Sequence, residues 1–220
     1  MLETIVVNPK DDAEYAIIWL HGLGATGDDF VPIAHQLHQE LPLQARFVFP
    51  HAPLRPVTLN SGYVMRAWYD ILGLDLQTKE DRDGLEQTRQ SVEEIIQHQV
   101  DDGIVSNRIF LGGFSQGGAA ALYTGVRYEQ PLAGIIAFSA YMPFYKSIVE
   151  EANSANQQTP ILFAHGTRDG IVPLLWAELS SKALSQNGNS VAMRTYPIEH
   201  QVCQEELVDL TQWLGEVSGK

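Results

Sequence analysis

The sequence predicts an α/β protein with a mostly parallel central sheet and helices on both faces, and three observations carry that reading. Short β-branched and aromatic runs recur along the chain, at Thr4 to Val7, Ala16 to Leu20, Arg46 to Phe49, Arg108 to Leu111, Ala133 to Phe138, Ile161 to Ala164 and Val191 to Tyr196. Several are apolar almost throughout instead of alternating, as a strand covered by helices on both faces must be. Helix-period stretches separate the runs of the second half, and strand, helix and strand in repetition build a parallel sheet through crossover connections.

The clearest helix is Leu85 to Val100, where Leu85, Val92, Ile95, Ile96 and Val100 share one face and Asp83 stands where a cap is needed. Phe30 to Gln39, Gln116 to Tyr128, Leu174 to Ser185 and Cys203 to Val217 are the others. No repeat, low-complexity tract or linker divides the chain, so 1–220 is expected to form one domain. The rhythm breaks only over 52–82, where Pro53, Pro56, Gly62 and Gly73 interrupt apolar residues. An insertion of that length in a compact domain is usually functional or disordered.

Composition narrows the function classes. A net charge of -13 gives a field that repels phosphate backbones and anionic lipid surfaces, so nucleic acid is not expected as a partner. The one cysteine, Cys203, excludes an internal disulfide framework and a cysteine-based zinc cluster. No run of 18 apolar residues occurs, and the start carries acids where a secretory signal needs bases. These features predict a cytoplasmic protein without stable membrane insertion.

The chemistry centres on Gly113-Phe114-Ser115-Gln116-Gly117, a G-x-S-x-G pattern set between an apolar strand and a small-residue helix. Ser115 must sit on a sharp, strained turn there, and a side chain at Gly113 or Gly117 would collide with neighbouring backbone. The start of the following helix supplies free N–H groups and the positive end of its dipole, which favour a developing oxyanion.

A serine nucleophile needs a base, and the base needs a carboxylate to fix its tautomer. In this strand–turn–helix context the order along the chain is serine, acid, histidine. Of seven histidines only His165 and His200 follow Ser115, and only His200 leaves room for an acid on a separate strand end. Asp169 lies in the loop beyond Ile161 to Ala164, at the edge where open α/β sheets place their sites. Glu178 falls inside a helix and Glu199 adjoins His200 too closely, so Asp169 is preferred. A second oxyanion donor is expected from Leu20-His21-Gly22-Leu23-Gly24, whose glycines let backbone approach a ligand. The backbone N–H groups of Leu23 and Gln116 are therefore assigned to the oxyanion hole, with His21 in a supporting role. Dinucleotide binding is not supported, since no G-x-G-x-x-G is present and Asp28-Asp29 would repel a pyrophosphate.

With these segments the chain resembles the acyl-protein thioesterase and carboxylesterase family of α/β hydrolases. Beyond the motifs above, the resemblance rests on Phe49-Pro50-His51-Ala52-Pro53, Trp68-Tyr69-Asp70, Ser106-Asn107-Arg108-Ile109, His165-Gly166, Val172-Pro173 and Tyr196. It implies the α/β-hydrolase fold, a Ser115, Asp169 and His200 triad, and no metal or organic cofactor. It also implies a lid-like insertion around 52–82 whose apolar residues flank an acyl channel, with Trp68, Leu72, Leu74 and Val172 as substrate-binding residues. Family members often carry glycine and methionine before the histidine, where this chain has Ile198-Glu199. The expected substrate is an acyl ester or thioester, on a small molecule, a lipid-like carrier or an acylated protein. A lysophospholipase shares the same triad, a peptidase is disfavoured for want of a restricting domain, and a non-catalytic binding module is the reading from another class. Met65, Trp68, Ile71, Leu72 and Leu74 could face the core, a membrane or a second copy in a homodimer, and composition does not choose among these.

Overall fold

The computed structural model describes residues 1–73 and 79–220. Among them the strands are Thr4–Val7 (β1), Tyr15–Leu20 (β2), Ala45–Pro50 (β3), Leu54–Val57 (β4), Tyr63–Arg66 (β5), Ile109–Phe114 (β6), Gly134–Phe138 (β7), Ile161–Gly166 (β8) and Val191–Tyr196 (β9). The α-helices are Val31–Glu40 (α1), Arg82–Asp101 (α2), Gln116–Gly125 (α3), Ile148–Glu151 (α4), Leu174–Gln186 (α5) and Gln204–Ser218 (α6). All seven sequence-predicted strands join one sheet in the order β1-β3-β2-β6-β7-β8-β9. β1 is antiparallel to β3, and the remaining pairs are parallel.

Alternation along each strand sorts side chains into two cores. Ala16, Ile18, Leu20, Ile109, Leu111, Ile135, Ala137, Ile161 and Phe163 face one side, where they meet α2, α3 and α5. Ile17, Trp19, Phe110, Ile136, Phe138, Leu162 and Ala164 face the other and meet α1 and α6. Burying each Ile or Leu contributes roughly 1.5–3 kcal/mol, which is why both faces of β2, β6 and β8 had to be apolar.

Two features depart from the sequence reading. The 52–82 segment is not all loop, because β4 and β5 pair as a separate antiparallel hairpin through Leu54 with Arg66 and Val57 with Tyr63. The cap of α2 is Asp81, not Asp83: Asp81 Oδ1 accepts the N–H of Gly84 at 3.0 Å, and Asp83 stands already in the first helical turn. Asp81 also accepts the N–H of Asp70 at 2.8 Å, so the cap fastens the far end of the insertion to the helix.

Parallel strands bring their C-terminal ends to one edge of the sheet. The loops after β2, β6, β8 and β9 all open there, and they carry His21 to Gly24, Ser115, Asp169 and His200 respectively.

Candidate active site

Ser115 joins β6 to α3 with φ 55° and ψ −120°, a backbone conformation that costs a residue with a side chain about 1–3 kcal/mol. Its own N–H donates to the Phe138 carbonyl at 2.8 Å, which carries the β6–β7 pairing through the turn. The flanking glycines are set by close approach. A Cβ on Gly113 would run into the Leu20 carbonyl and the Gly117 backbone, and one on Gly117 would run into the carbonyls of Leu20 and His21.

The hydroxyl of Ser115 lies 2.9 Å from His200 Nε2, and His200 Nδ1 lies 2.7 Å from Asp169 Oδ2. A carboxylate only accepts, so Nδ1 carries the hydrogen and Nε2 is left to accept from the serine hydroxyl. The ring of Phe114 packs on the imidazole with centroids 4.8 Å apart. The Asp169 side chain is fully buried, and its Oδ1 accepts the N–H groups of Ile171 and Val172 at 2.9 and 2.8 Å. Both carboxylate oxygens are thereby hydrogen-bonded, as a buried carboxylate requires.

The loops bearing acid and histidine are fastened to each other. Thr167 donates to the Tyr196 carbonyl at 2.7 Å and Arg168 to the Ile198 carbonyl at 3.0 Å. The carbonyls of Ile198 and Glu199 press against the Cα of Gly166, where a Cβ would be only 2.5 Å from either. Backbone groups make these contacts, so they do not depend on the side chains of Ile198 and Glu199; Ile198 packs on the core and Glu199 is exposed. His165, fully buried behind Asp169, donates from Nε2 to the Val172 carbonyl at 2.8 Å, and burial lowers its pKa, so it stays neutral.

The Gln116 amide follows Ser115 directly in the chain, and Leu23 follows Gly22 in the loop after β2. Gln116 opens α3, and the Gly22 backbone passes so close that a Cβ there would lie 3.7 Å from Ser115 Cβ. Of the sequence-predicted substrate residues, Leu72 is 40% exposed and Val172 is buried beside Asp169, while Leu74 lies outside the described residues. Trp68 is entirely buried in the core; its indole N–H donates to the His21 carbonyl at 2.8 Å and its carbonyl accepts the Thr88 hydroxyl. Tyr69 and Leu72, with Tyr141, Tyr145 and Trp176, line a small cleft that also presents Asp70, Lys79, Glu80 and Asp81.

Sequence reasoning missed the side chain of Gln116. Its Oε1 accepts the Trp68 N–H at 3.0 Å and its Nε2 donates to the Tyr69 carbonyl at 2.7 Å, clamping the insertion to the start of α3. No pattern announces this, because the partners are backbone groups that any residue carries.

A serine on a strained strand-to-helix turn at the C-terminal edge of a parallel sheet, with histidine and aspartate from later strand ends hydrogen-bonded to it in series, is the arrangement found in serine hydrolases of the α/β-hydrolase fold. The chain belongs to the Phospholipase/Carboxylesterase family, whose profile matches residues 2–218. It is similar to acyl-protein thioesterase 1 of Cryptococcus neoformans, with 35% identity over 232 residues that cover 98% of this chain and 97% of the relative. Among solved structures, SOBER1 of Arabidopsis thaliana is similar with a TM-score of 0.88 and 30% identity, covering 94% of this chain and 100% of that one. Acyl-protein thioesterase 2 of Zea mays is similar with a TM-score of 0.86 and 28% identity, covering 99% of each chain. The chain is thus a hydrolytic enzyme of the esterase and thioesterase type. Among the described residues no helix is long and apolar enough to cross a membrane.

Proposed function

We propose that this enzyme hydrolyses carboxylic esters and thioesters through an acyl-enzyme on Ser115, with His200 as base and acid, Asp169 as its orienting carboxylate, and the amides of Leu23 and Gln116 as the oxyanion hole. The observation that carries the reading is the unbroken hydrogen-bond series from Ser115 Oγ through His200 to the buried Asp169.

His200 Nε2 takes the hydroxyl proton as Ser115 Oγ attacks the acyl carbonyl, and Asp169 stabilises the resulting imidazolium. The carbonyl oxygen, now negative, is received by the two amides; one such donor is worth roughly 10²–10³ in rate. Collapse expels the alcohol or thiol, which leaves with the proton from His200. Water then gives a proton to the same nitrogen, attacks the acyl-enzyme and releases the acid, returning Ser115 with its hydrogen. The cleft lined by Tyr69, Leu72, Tyr141, Tyr145 and Trp176 also carries Asp70, Lys79, Glu80 and Asp81, a mixed lining, and Tyr69 links it to Gln116. The names of the relatives favour thioesters on acylated proteins as one substrate class.

Purified Ser115→Ala protein is expected to lose release of p-nitrophenol from acyl esters and of thiol from acyl thioesters while keeping its melting temperature near that of the parent. Retained turnover would overturn the assignment. Parallel assays across acyl length with oxygen esters, thioesters and lysophospholipids rank the substrate classes.

A further inference from the structure

The two amides assigned to the oxyanion stand on separate segments, after β2 and at the start of α3, and both must be held in one frame to about half an ångström. We infer that His21 is a positioning residue for this site: its imidazole holds the Gly22 carbonyl and thereby turns the Leu23 N–H of the same peptide towards Ser115, while Trp68 and the Gln116 side chain brace the assembly. The inference rests on the reading of Ser115, Leu23 and Gln116 given above and adds to it a source of their alignment.

Hydrogen-bond chemistry fixes the state of His21. The ring is 1% exposed, and Nε2 accepts the N–H of Ala52 at 3.0 Å. An amide N–H only donates, so Nε2 carries no hydrogen and the hydrogen of the neutral ring sits on Nδ1. Nδ1 lies 2.7 Å from the Gly22 carbonyl and donates to it. Burial, the strongest influence on this ring, lowers its pKa and keeps it neutral.

In a trans peptide the C=O and the following N–H point in opposite directions. Drawing the Gly22 carbonyl to His21 therefore turns the Leu23 N–H away from it, and Gly22 abuts Ser115 at that place. Among the described residues the Leu23 N–H has no acceptor, whereas its neighbours are occupied: Gly24 donates to the Arg66 carbonyl at 2.9 Å and Ala25 to the Gly22 carbonyl at 3.2 Å. The brace closes the frame. Trp68 donates from its indole to the His21 carbonyl, and the Gln116 amide grips both the Trp68 N–H and the Tyr69 carbonyl. Three side chains thus connect the Leu23 amide to the Gln116 amide without touching substrate.

Two substitutions separate positioning from plain structural support. Asparagine places a donor where Nδ1 stands but cannot reach Ala52, whereas glutamine places an acceptor where Nε2 stands but loses the bond to Gly22. His21→Gln is expected to lower kcat by about 30-fold with KM little changed, and His21→Asn by about threefold, since misplacing one oxyanion donor costs at most roughly 10²–10³. Both should lower the melting temperature alike. Rates are referred to the fraction of Ser115 that a fluorophosphonate titrates. Equal losses of kcat in the two variants, or none in His21→Gln, would overturn the inference. If neither variant folds, Gln116→Met keeps the backbone donor and removes the brace; a kcat lowered about tenfold at unchanged KM supports the inference, and an unchanged kcat overturns it. Turnover surviving in Ser115→Ala would instead refute the site itself, whatever the His21 variants show.

Discussion

Asp169 holds His200 with one carboxylate oxygen and its own loop with the other: Oδ2 lies 2.7 Å from His200 Nδ1, and Oδ1 accepts the amides of Ile171 and Val172. The carboxylate therefore fixes which nitrogen of the His200 ring carries the hydrogen and ties down the loop that holds Asp169 itself. Replacing one function without the other is chemically feasible.

Asp169→Asn does so. The amide oxygen can still accept from Ile171 and Val172, which leaves the NH₂ facing His200 Nδ1 and drives the ring hydrogen to Nε2. That nitrogen can then no longer accept from Ser115. A fall in kcat of roughly 10⁴ near neutral pH is expected with little change in circular dichroism or melting temperature. Activity within tenfold of the parent would show that Asp169 does not orient the base.

Ser115 stores strain that glycine would relieve. At φ 55° and ψ −120° a side chain is costly, whereas glycine reaches this region freely. Ser115→Gly should be inactive yet more stable by about 1 kcal/mol, less the extra entropy glycine has when unfolded, or about 2–4 °C in melting temperature for a chain of this size. Differential scanning calorimetry checks this, and an unchanged or lower midpoint would contradict it.

Gly117→Ala tests the close approach behind the nucleophile. Its methyl would point into the Leu20 and His21 carbonyls, backbone groups that cannot rotate aside. A loss of about 3 kcal/mol or more is expected in urea unfolding, at the upper end for an overpacked site. Any protein that folds should also lose kcat, because the displaced His21 carbonyl is the acceptor of the Trp68 indole. Parent-like stability would mean that the strand and helix are more loosely apposed.

Glu206 makes stability pH-dependent. It is 1% exposed, and burial pushes its carboxyl up to about 7 although the Cys203 N–H donates to Oε2 at 2.8 Å; Oε1 has no partner among the described residues. Between the ordinary carboxyl range and about pH 7 the folded protein binds a proton that the unfolded chain has released, so this contribution to stability is full at low pH and is lost as pH rises through 7. Glu206→Gln should accordingly be more stable than the parent at pH 8, by about 1–2 kcal/mol, and no more stable at pH 4. Urea titrations at the two pH values give the comparison, and a gain of equal size at both would exclude the titration.

The sheet and the nucleophile turn were legible because both are local. An apolar run buried on two faces reads the same wherever the chain goes, and Gly113 and Gly117 mark a steric requirement contained within five residues of Ser115. The pairing of Asp169 with His200 could be anticipated from chain order, since parallel strands deliver successive loops to one edge; the distances of 2.7 and 2.9 Å that put them in one series could not. The hairpin of β4 and β5 escaped because Pro53, Pro56 and Gly62 break its short apolar runs, and the Asp81 cap because Asp81 and Asp83 both stand at the helix start.

Sequence by itself determined the strand pattern, the strained serine and the short set of groups able to serve it. Tertiary structure alone decided how they are held: the indole of Trp68 is buried and bonded to the His21 carbonyl, Gln116 grips a segment 47 and 48 residues away, and His21 bonds the Gly22 carbonyl. The reason is physical. These bonds end on carbonyls and amides that every residue possesses, so their partners acquire identity only when the folded chain brings them within 3 Å.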